Sequence, residues 1–241
     1  MLELKNISFR VETDGEIKDI LSDVNLKIDD HFTVITGPNG GGKSTLAKII
    51  SGIYRPTSGH ILLDGEDITD LSITERAKKG ISFAFQQPVR FKGLTVRDLI
   101  NLAAGKPLTV ADACSYLSEV GLCARDYIDR ELNASLSGGE MKRIEIAMIM
   151  ARGTKLSLFD EPEAGIDLWS FNNLIKVFEK LRDQVGGSIM IISHQERILA
   201  IANQIVVVSG GKITKVGPAG EILPELLGKA SSSCPVLTNK I

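Results

Sequence analysis

A glycine-rich stretch in the first part of the chain has the residue types and spacing of a phosphate-binding loop. Residues 37–45 read GPNGGGKST and fit the pattern G-x-x-x-x-G-K-[ST], directly after an apolar strand and before a helical pattern. Glycines let the backbone curl so that its N–H groups point at phosphate oxygens, and the helix N-terminus adds partial positive charge. The predicted nucleotide-binding residues are Gly37, Pro38, Asn39, Gly40, Gly41, Gly42, Lys43, Ser44 and Thr45.

Two side chains of this loop have distinct expected roles. Lys43 is expected to reach the β- and γ-phosphates, and Ser44 offers its hydroxyl to a Mg²⁺ ion. An acidic residue at the tip of a neighbouring strand would complete such a metal site, and the apolar stretch LSLF supplies it because it leads into Asp160. Glu161, one residue further on, is placed to take a proton from attacking water. An Asp-Glu pair after a strand is otherwise an ordinary loop entry, and the phosphate loop favours the metal site.

The spacing of apolar residues predicts the elements that carry these side chains. Residues 2–9 and about 20–28 alternate apolar and polar, as in half-buried antiparallel strands, whereas HFTVITG and LSLFDE are compact strands. From about 95 to 152 the apolar residues recur at helical spacing. The predicted fold class is α/β, with a mixed central sheet, an antiparallel β subdomain, and a helical subdomain over about 87–152 inserted in the nucleotide-binding core.

The charge balance and the lengths of the apolar runs exclude several classes of function. Lys and Arg number 28 against 30 Asp and Glu, so no basic field indicates nucleic-acid binding, and the local cluster MKR at 141–143 does not change this. The apolar runs have the length of strands and are too short to span a membrane. No basic segment followed by an apolar core follows Met1. We therefore expect a cytoplasmic protein.

The end of the chain and the cysteines carry no sign of chemistry. We expect a single domain over residues 1–228 and a weakly ordered C-terminal tail over 229–241, which contains a serine run and a proline. The three cysteines have neither zinc-site spacing nor the number that an iron–sulfur cluster needs, and they are Cys114, Cys123 and Cys234. The chain is therefore not expected to bind a cluster itself.

Further motifs follow the phosphate loop in a recognisable order. LSGGE occupies residues 136–140, Gln86 follows one apolar strand, and His194 ends another. Together with the phosphate loop and the Asp-Glu pair, this order resembles that of the ABC ATPase family across nearly the whole chain. The resemblance implies a P-loop NTPase of ABC type, an ATP hydrolase that uses ATP and Mg²⁺.

The resemblance implies roles for residues that act on the nucleotide bound by the same chain. Gln86 would approach Mg²⁺ and the attacking water, which adds it to Ser44 and Asp160 as a residue of the metal site. His194 would contact the γ-phosphate. The catalytic residues implied are therefore Glu161, His194 and Gln86.

A second group of residues would act on the nucleotide bound by another copy of the chain. Ser137, Gly138 and Gly139, at a helix N-terminus, would meet the γ-phosphate held by the opposite subunit, so that two chains enclose two ATP molecules. Asp167 in EAGID would belong to the segment that communicates across the dimer. ATP would close this homodimer and hydrolysis would release it, because the γ-phosphate bridges both chains.

Several stretches are more similar to SufC, the ATPase of the SUF iron–sulfur cluster assembly system, than to transporter subunits. AFQQPVRF at 84–91 is similar to AFQ-x-PV, and SGGEMKRIEI resembles SGGE-x-KR-x-E-I rather than the transporter pattern LSGGQ-x-QR. EAGID is similar to SGLD, and SHQERIL to TH-x-x-RIL. By contrast, YRPTSGHILLDGEDIT and the proline of DEP are typical of transporters. The resemblance implies a soluble SufB/SufD-like scaffold as partner, with a membrane permease as the alternative.

Two further positions bear on ligand and partner contacts. Val11 is either an ordinary strand residue or stands where transporter subunits place an aromatic ring under the adenine. Gln87 to Phe91 are expected to begin the part of the chain that meets a partner. Val89, Arg90 and Phe91 are the candidate contacts.

Overall fold

The structure is a computed structural model that describes residues 1–13, 15–29, 32–87, 89, 91–132, 136–184 and 187–232. The strands are β1 (Leu2–Thr13), β2 (Glu16–Ile28), β3 (Phe32–Thr36), β4 (Ser58–Leu63), β5 (Glu66–Asp67), β6 (Ile81–Ala84), β7 (Leu156–Asp160), β8 (Ser188–Ile192), β9 (Gln204–Ser209) and β10 (Lys212–Pro218). The helices are α1 (Lys43–Ser51), α2 (Ile73–Lys78), α3 (Val96–Ala104), α4 (Val110–Glu119), α5 (Ala124–Tyr127), α6 (Gly138–Arg152), α7 (Leu168–Gln184), α8 (Glu196–Ala200) and α9 (Ala219–Ser232).

The central sheet is mixed, as predicted. Its strand order is β10-β9-β3-β8-β7-β6, with parallel pairing throughout except between β9 and β10. β3 and β7 are buried at every position, which explains why they read as continuous apolar runs in the sequence. Successive residues of a strand face opposite sides of the sheet, so Leu158 and Ile192 pack into one apolar core, and Phe159 and Ile191 pack into the other.

The antiparallel sheet has the order β2-β1-β4-β5 and packs with α1 on one side of the central sheet. β1 and β2 are longer than the predicted strands, because β1 continues to Thr13 and β2 begins at Glu16. The outer part of this hairpin is exposed, and so it lacks the alternation of apolar and polar residues that reveals a half-buried strand. Cross-strand pairs such as Arg10 with Asp19, joined by a 2.6 Å hydrogen bond, hold it instead.

The segment between β6 and β7 is helical and forms the other side of the molecule. It contains α3, α4, α5 and α6, whose apolar faces share a core with α7 and α8. The predicted domain boundary at Gly228 falls inside α9, because this helix continues to Ser232. Residues 233–241, including Cys234, lie outside the described residues, so the weak order expected of the tail stays a prediction.

Within the part of the chain that the structure describes, no helix combines the length and the apolar character that crossing a bilayer requires.

Arg76 fixes the end of the helix that follows the phosphate loop. The side chain is 1% exposed, and its guanidinium donates to the carbonyls of Ile49 and Ile50, in the last turn of α1, and to those of Leu71 and Thr69. The last carbonyls of a helix have no partner within the helix, so a buried helix end needs such a donor. Arg76 therefore joins α1 to the segment around α2.

We expect Arg76→Met to lower the free energy of unfolding by about 3 kcal/mol, because buried carbonyls would lose their donors. Urea-induced unfolding measures this change. Arg55→Met is the matched control, since Arg55 is exposed and pairs with Asp70 on the surface, where an ion pair contributes little. Equal effects of the two substitutions would contradict the role of Arg76.

Candidate functional site

The residues predicted to act on one nucleotide lie along a single edge of the central sheet. β3, β8, β7 and β6 are neighbours and run parallel, so their carboxyl ends form a continuous row. The phosphate loop follows β3, and His194 follows β8. Asp160 ends β7 with Glu161 directly after it, and Gln86 follows β6. This edge is where ligands bind in open α/β sheets.

The phosphate loop begins with a close approach to β9. Gly37 has a φ of +130°, and a Cβ at this position would lie 2.0 Å from the carbonyl oxygen of Val208. Only glycine fits such a contact and such a backbone conformation. The first glycine of the loop therefore serves packing against the sheet, and α1 begins at Lys43.

Lys43 lies across the loop that precedes it. The side chain is 6% exposed, and its Nζ donates to the carbonyl oxygens of Gly37 at 2.8 Å and Pro38 at 2.9 Å. Burial lowers the pKa of Lys43, whereas the nearby Glu161 and Asp160 favour its charged form. A cation is thus held at the position where phosphate oxygens would approach the loop.

Ser44 and Asp160 form the oxygen pair expected of a metal site. The Ser44 hydroxyl donates to Asp160 Oδ1 at 2.9 Å, although the two residues belong to different elements. Asp160 is 5% exposed, and burial raises the pKa of its carboxyl, while the Ser44 hydrogen bond acts in the opposite direction. Oxygen ligands of this kind fit Mg²⁺, which is commonly bound through one or two carboxylates and the phosphates of its substrate. Among the described residues there is no cluster of three or more His, Cys, Asp or Glu that could hold a metal by itself.

Glu161 and Gln86 contact each other directly. The Gln86 side-chain Nε2 donates to Glu161 Oε2 at 2.6 Å, so two residues that are distant in sequence meet at this edge. Glu161 has a φ of +45°, a left-handed conformation that is unusual for a residue with a side chain. Such strain is retained where surrounding structure fixes the backbone, and it is common at functional sites.

His194 is exposed at the end of β8, beside the phosphate loop. Partial desolvation of the ring, followed by the positive charge of Lys43, lowers the pKa of His194, so the neutral imidazole is favoured. The preceding residue, Ser193, is fully buried, and its hydroxyl donates to Glu163 Oε1 at 2.5 Å. Burial raises the pKa of Glu163.

LSGGE begins helix α6 and does not follow a strand of the central sheet. Ser137 is the N-cap of α6, with its hydroxyl accepting from the N–H of Glu140 and the Glu140 carboxylate accepting from the N–H of Ser137. A Cβ on Gly139 would lie 2.8 Å from the Cβ and Oγ of Ser170 in α7, whereas one on Gly138 would lie 3.4 Å from its nearest neighbour. The motif is therefore fitted closely against the start of α7.

Asp167 is placed just before α7. Its Oδ1 accepts hydrogen bonds from the N–H groups of Trp169 at 2.9 Å and Ser170 at 3.0 Å, as an N-cap residue does. These hydrogen bonds, with that of Ser170 the largest, lower the pKa of Asp167. Its expected role across a dimer stays a prediction, as do the roles of Ser137, Gly138 and Gly139.

Sequence patterns did not reveal three polar residues beside this site. Glu163 accepts a hydrogen bond from Ser193, the residue before His194. Lys142 and Glu145 of α6 form an ion pair, and both contact the main chain of Phe85. Lys142 and Glu145 are three residues apart, which places them on one side of a helix, and this spacing was the available signal.

Three other positions singled out in the sequence have separate outcomes. Pro88 and Arg90 lie outside the described residues, and Val11 is half-buried in β1 opposite Lys18.

Comparisons with known proteins find similar sequences over most of the chain. A family model described as "ABC transporter" matches residues 21–164. The chain is 38% identical over 230 residues to "Uncharacterized ABC transporter ATP-binding protein" of Methanocaldococcus jannaschii, covering 90% of this chain and 92% of the relative. It is 33% identical to "Probable ATP-dependent transporter ycf16" of Cyanophora paradoxa, covering 94% of this chain and 91% of the relative.

A solved structure has the same fold. A dimeric ATP-binding cassette in a post-hydrolysis state, bound to ADP and Pi, matches with a TM-score of 0.80 and 26% sequence identity, covering 91% of this chain and 99% of that one. The match confirms the fold class predicted from the sequence, a P-loop cassette with mixed α/β sheets.

We expect Gly139→Ala to lower the free energy of unfolding by about 1 to 3 kcal/mol, because the added methyl group overlaps Ser170. Alanine is otherwise the better helix former, so the sign of the effect reports the packing. Gly138→Ala is the matched control and should be neutral or slightly stabilising. Urea unfolding of both variants measures the difference, and equal stabilities would show that α6 does not pack closely on α7.

Proposed function

The chain belongs to the ABC transporter family and is a P-loop ATP hydrolase, and from this premise we propose that its ATP-driven dimerisation drives conformational change in a SufB/SufD-like scaffold for iron–sulfur cluster assembly. The assignment of ATP hydrolysis rests on two hydrogen bonds at one edge of the sheet, from Ser44 to Asp160 and from Gln86 to Glu161. The choice of scaffold rests on the segment SGGEMKRIEI, in which the chain departs from the transporter pattern.

The distinguishing residues of this segment have structural partners. Glu140 closes the capping box of α6 and accepts a hydrogen bond from the hydroxyl of Tyr127, while Lys142 and Glu145 hold Phe85. They are therefore tied to the fold and to the loop that carries Gln86, rather than being free surface substitutions. The departure of this segment from the transporter pattern is the observation that favours a SufC-type ATPase.

The residues of the sheet edge divide the work of hydrolysis. The N–H groups of the phosphate loop and the Lys43 ammonium bind the phosphates, and Ser44 and Asp160, with Gln86 beside them, hold the metal site. Ser44 and Asp160 would hold Mg²⁺ there, and the ion would neutralise the negative charge that develops on the phosphates. Glu161 accepts a proton from the attacking water, with Gln86 orienting its carboxylate.

His194 serves the γ-phosphate in this mechanism. Its lowered pKa favours the neutral ring at physiological pH, and a neutral imidazole can donate one hydrogen bond to a phosphate oxygen. Ser193 and Glu163 support the segment that carries it. The ring is thus a hydrogen-bonding contact and not a second base.

A second copy of the chain completes the site. Ser137, Gly138 and Gly139 present the N-terminus of α6, where N–H groups favour a phosphate, to the nucleotide of the opposite subunit. Beside Asp167, the side chains of Leu168 and Trp169 are 69% and 79% exposed, an apolar surface that a second chain would cover. The structurally similar cassette bound to ADP and Pi is itself described as dimeric.

An apolar groove offers a surface for the scaffold. It has a volume of about 350 Å³ and includes the side chains of Ile73, Phe83, Phe85, Val89 and Phe91. Phe85 directly precedes Gln86, so an occupant of the groove contacts the loop that carries a catalytic residue. Partner movement and ATP hydrolysis are linked in this way, and the proposal places the ATPase in the cytoplasm.

A transporter subunit is the alternative function. It is favoured by the names of both relatives, each of which describes a transporter component. In that case the same groove receives a membrane permease. The two functions share the ATPase site and differ in the partner.

We expect Glu161→Gln to bind ATP and to accumulate as a dimer, with hydrolysis reduced on the order of 10²-fold to 10⁴-fold because the proton acceptor is lost. Size-exclusion chromatography with ATP and a phosphate-release assay measure both effects. Glu221→Gln, an exposed change in the first turn of α9, is the control and should retain turnover. A monomeric Glu161→Gln variant with full activity would refute the assignment.

We expect native purification to yield a partner without transmembrane helices that carries an iron–sulfur cluster. Phe91→Asp should lose this partner and keep basal ATP hydrolysis, because the substitution places a charge in the apolar groove. Val110→Asp introduces the same charge at an exposed position of α4 outside the groove and should keep the partner. Recovery of a membrane permease instead would establish the transporter alternative.

A further inference from the structure

Lys142 is a buried lysine that the mechanism above does not use. It lies on α6, the helix that begins at the LSGGE motif, and it is 2% exposed. Its Nζ donates to the main-chain carbonyl oxygen of Phe85 and lies 3.6 Å from Glu145 Oε2. Burying an ammonium group is costly unless it is paired and hydrogen-bonded. The contacts with Phe85 and Glu145 therefore fix where the Lys142 ammonium lies.

Glu145 faces the main-chain N–H of Phe85, the residue whose carbonyl oxygen accepts from Lys142. The N–H of Phe85 is directed at the Glu145 carboxylate, which is largely buried. The ion pair thus contacts both the N–H and the C=O of Phe85. A buried ion pair of this kind adds little net stability, but it fixes the geometry of the groups that satisfy it.

The contact lies next to the catalytic residues. Gln86 follows Phe85, and its amide donates to Glu161 at 2.6 Å. On the other side, Lys142 is five residues after Ser137, the N-cap of the same helix, which is about 7.5 Å along the axis at about 1.5 Å per residue. One rigid helix therefore carries both the motif that meets the second nucleotide and the ion pair that holds the loop of the first.

We propose that Lys142 and Glu145 are positioning residues, which hold the main chain at Phe85 and thereby set the place of Gln86 against Glu161. The proposal rests on the roles of Gln86 and Glu161 in the proposed function. It makes the orientation of α6, and hence the approach of a second subunit, a determinant of the catalytic rate. Burial lowers the pKa of Lys142, whereas Glu145, Asp160 and Glu163 favour its charged form.

The test is a double-substitution cycle in the full-length chain, with steady-state ATP hydrolysis as the readout. Lys142→Met keeps the length of the side chain and removes the ammonium. We expect it to lower kcat on the order of 10²-fold, as small misplacements of catalytic groups do, with KM for ATP changed by less than about twofold. A loss of folding alone would lower the amount of active protein and would not depend on Gln86.

The second arm of the cycle uses Gln86→Ala. If Lys142 acts through Gln86, the double variant Lys142→Met/Gln86→Ala is no slower than the slower single variant, because residues that act as a unit are not additive. Lys180→Met is the matched control, since Lys180 forms an exposed pair with Glu119 between α7 and α4. It should leave kcat unchanged.

Three results would overturn the inference: an unchanged kcat for Lys142→Met, an unchanged kcat for Gln86→Ala, or losses that multiply in the double variant. Should Lys142→Met fail to fold by its thermal melting, Lys142→Met/Glu145→Gln replaces it in the cycle, because removal of both charges avoids an unpaired buried carboxylate. Failure of the proposed function is a separate outcome, in which the unsubstituted chain does not hydrolyse ATP or Glu161→Gln retains full turnover.

Discussion

The parallel pairing of four strands is the constraint on which the site depends. Each candidate residue for the chain's own nucleotide lies at or just beyond the carboxyl end of β3, β6, β7 or β8, and the hydrogen-bonded register of these strands fixes the distances between the loops. A slip of one residue would turn every side chain of a strand to the opposite face. Both faces of this sheet pack against apolar cores, so a different register would leave the two cores mismatched. The loops can consist of polar residues because the pairing of the buried strands, and not apolar packing of the loops, fixes where they lie.

Features with a local signal were predictable from the sequence. The Ser72 and Glu75 capping box, the turn at Asp64 and Gly65, and the phosphate loop each depend on residues that are close together in the chain. For the residues expected to act on the chain's own nucleotide, the phosphate-loop pattern and the Asp-Glu pair indicated Lys43, Ser44, Asp160 and Glu161, whereas Gln86 and His194 were implied by the resemblance to the ABC ATPase family. Features that arise from packing between distant elements were not predictable. In the sequence, Lys142 is part of a local cluster of charged residues that is typical of a surface. It is buried because α6 packs beside the end of β6.

The backbone conformation of Glu161 could not be predicted from the sequence either. Nothing in the residues around Glu161 indicates a left-handed conformation, which is strained for any residue with a Cβ. It arises because the N–H of Glu161 still pairs with Ile192 of β8 while the chain turns away towards α7. Strand β7 therefore positions both Asp160, the carboxylate proposed for the metal site, and the neighbouring carboxylate of Glu161. Two acidic side chains that are adjacent in sequence are separated into different environments, one buried beside Ser44 and one facing Gln86.

The position of Trp169 has a practical consequence. It is the only tryptophan in the chain, it is 79% exposed, and it stands in the first turn of α7, directly after Asp167. An indole in water emits at longer wavelength than one covered by apolar groups. The chain therefore carries an intrinsic fluorophore at the surface where we propose that a second copy binds. Its emission can follow association in real time, without a label and without altering any residue of the catalytic edge.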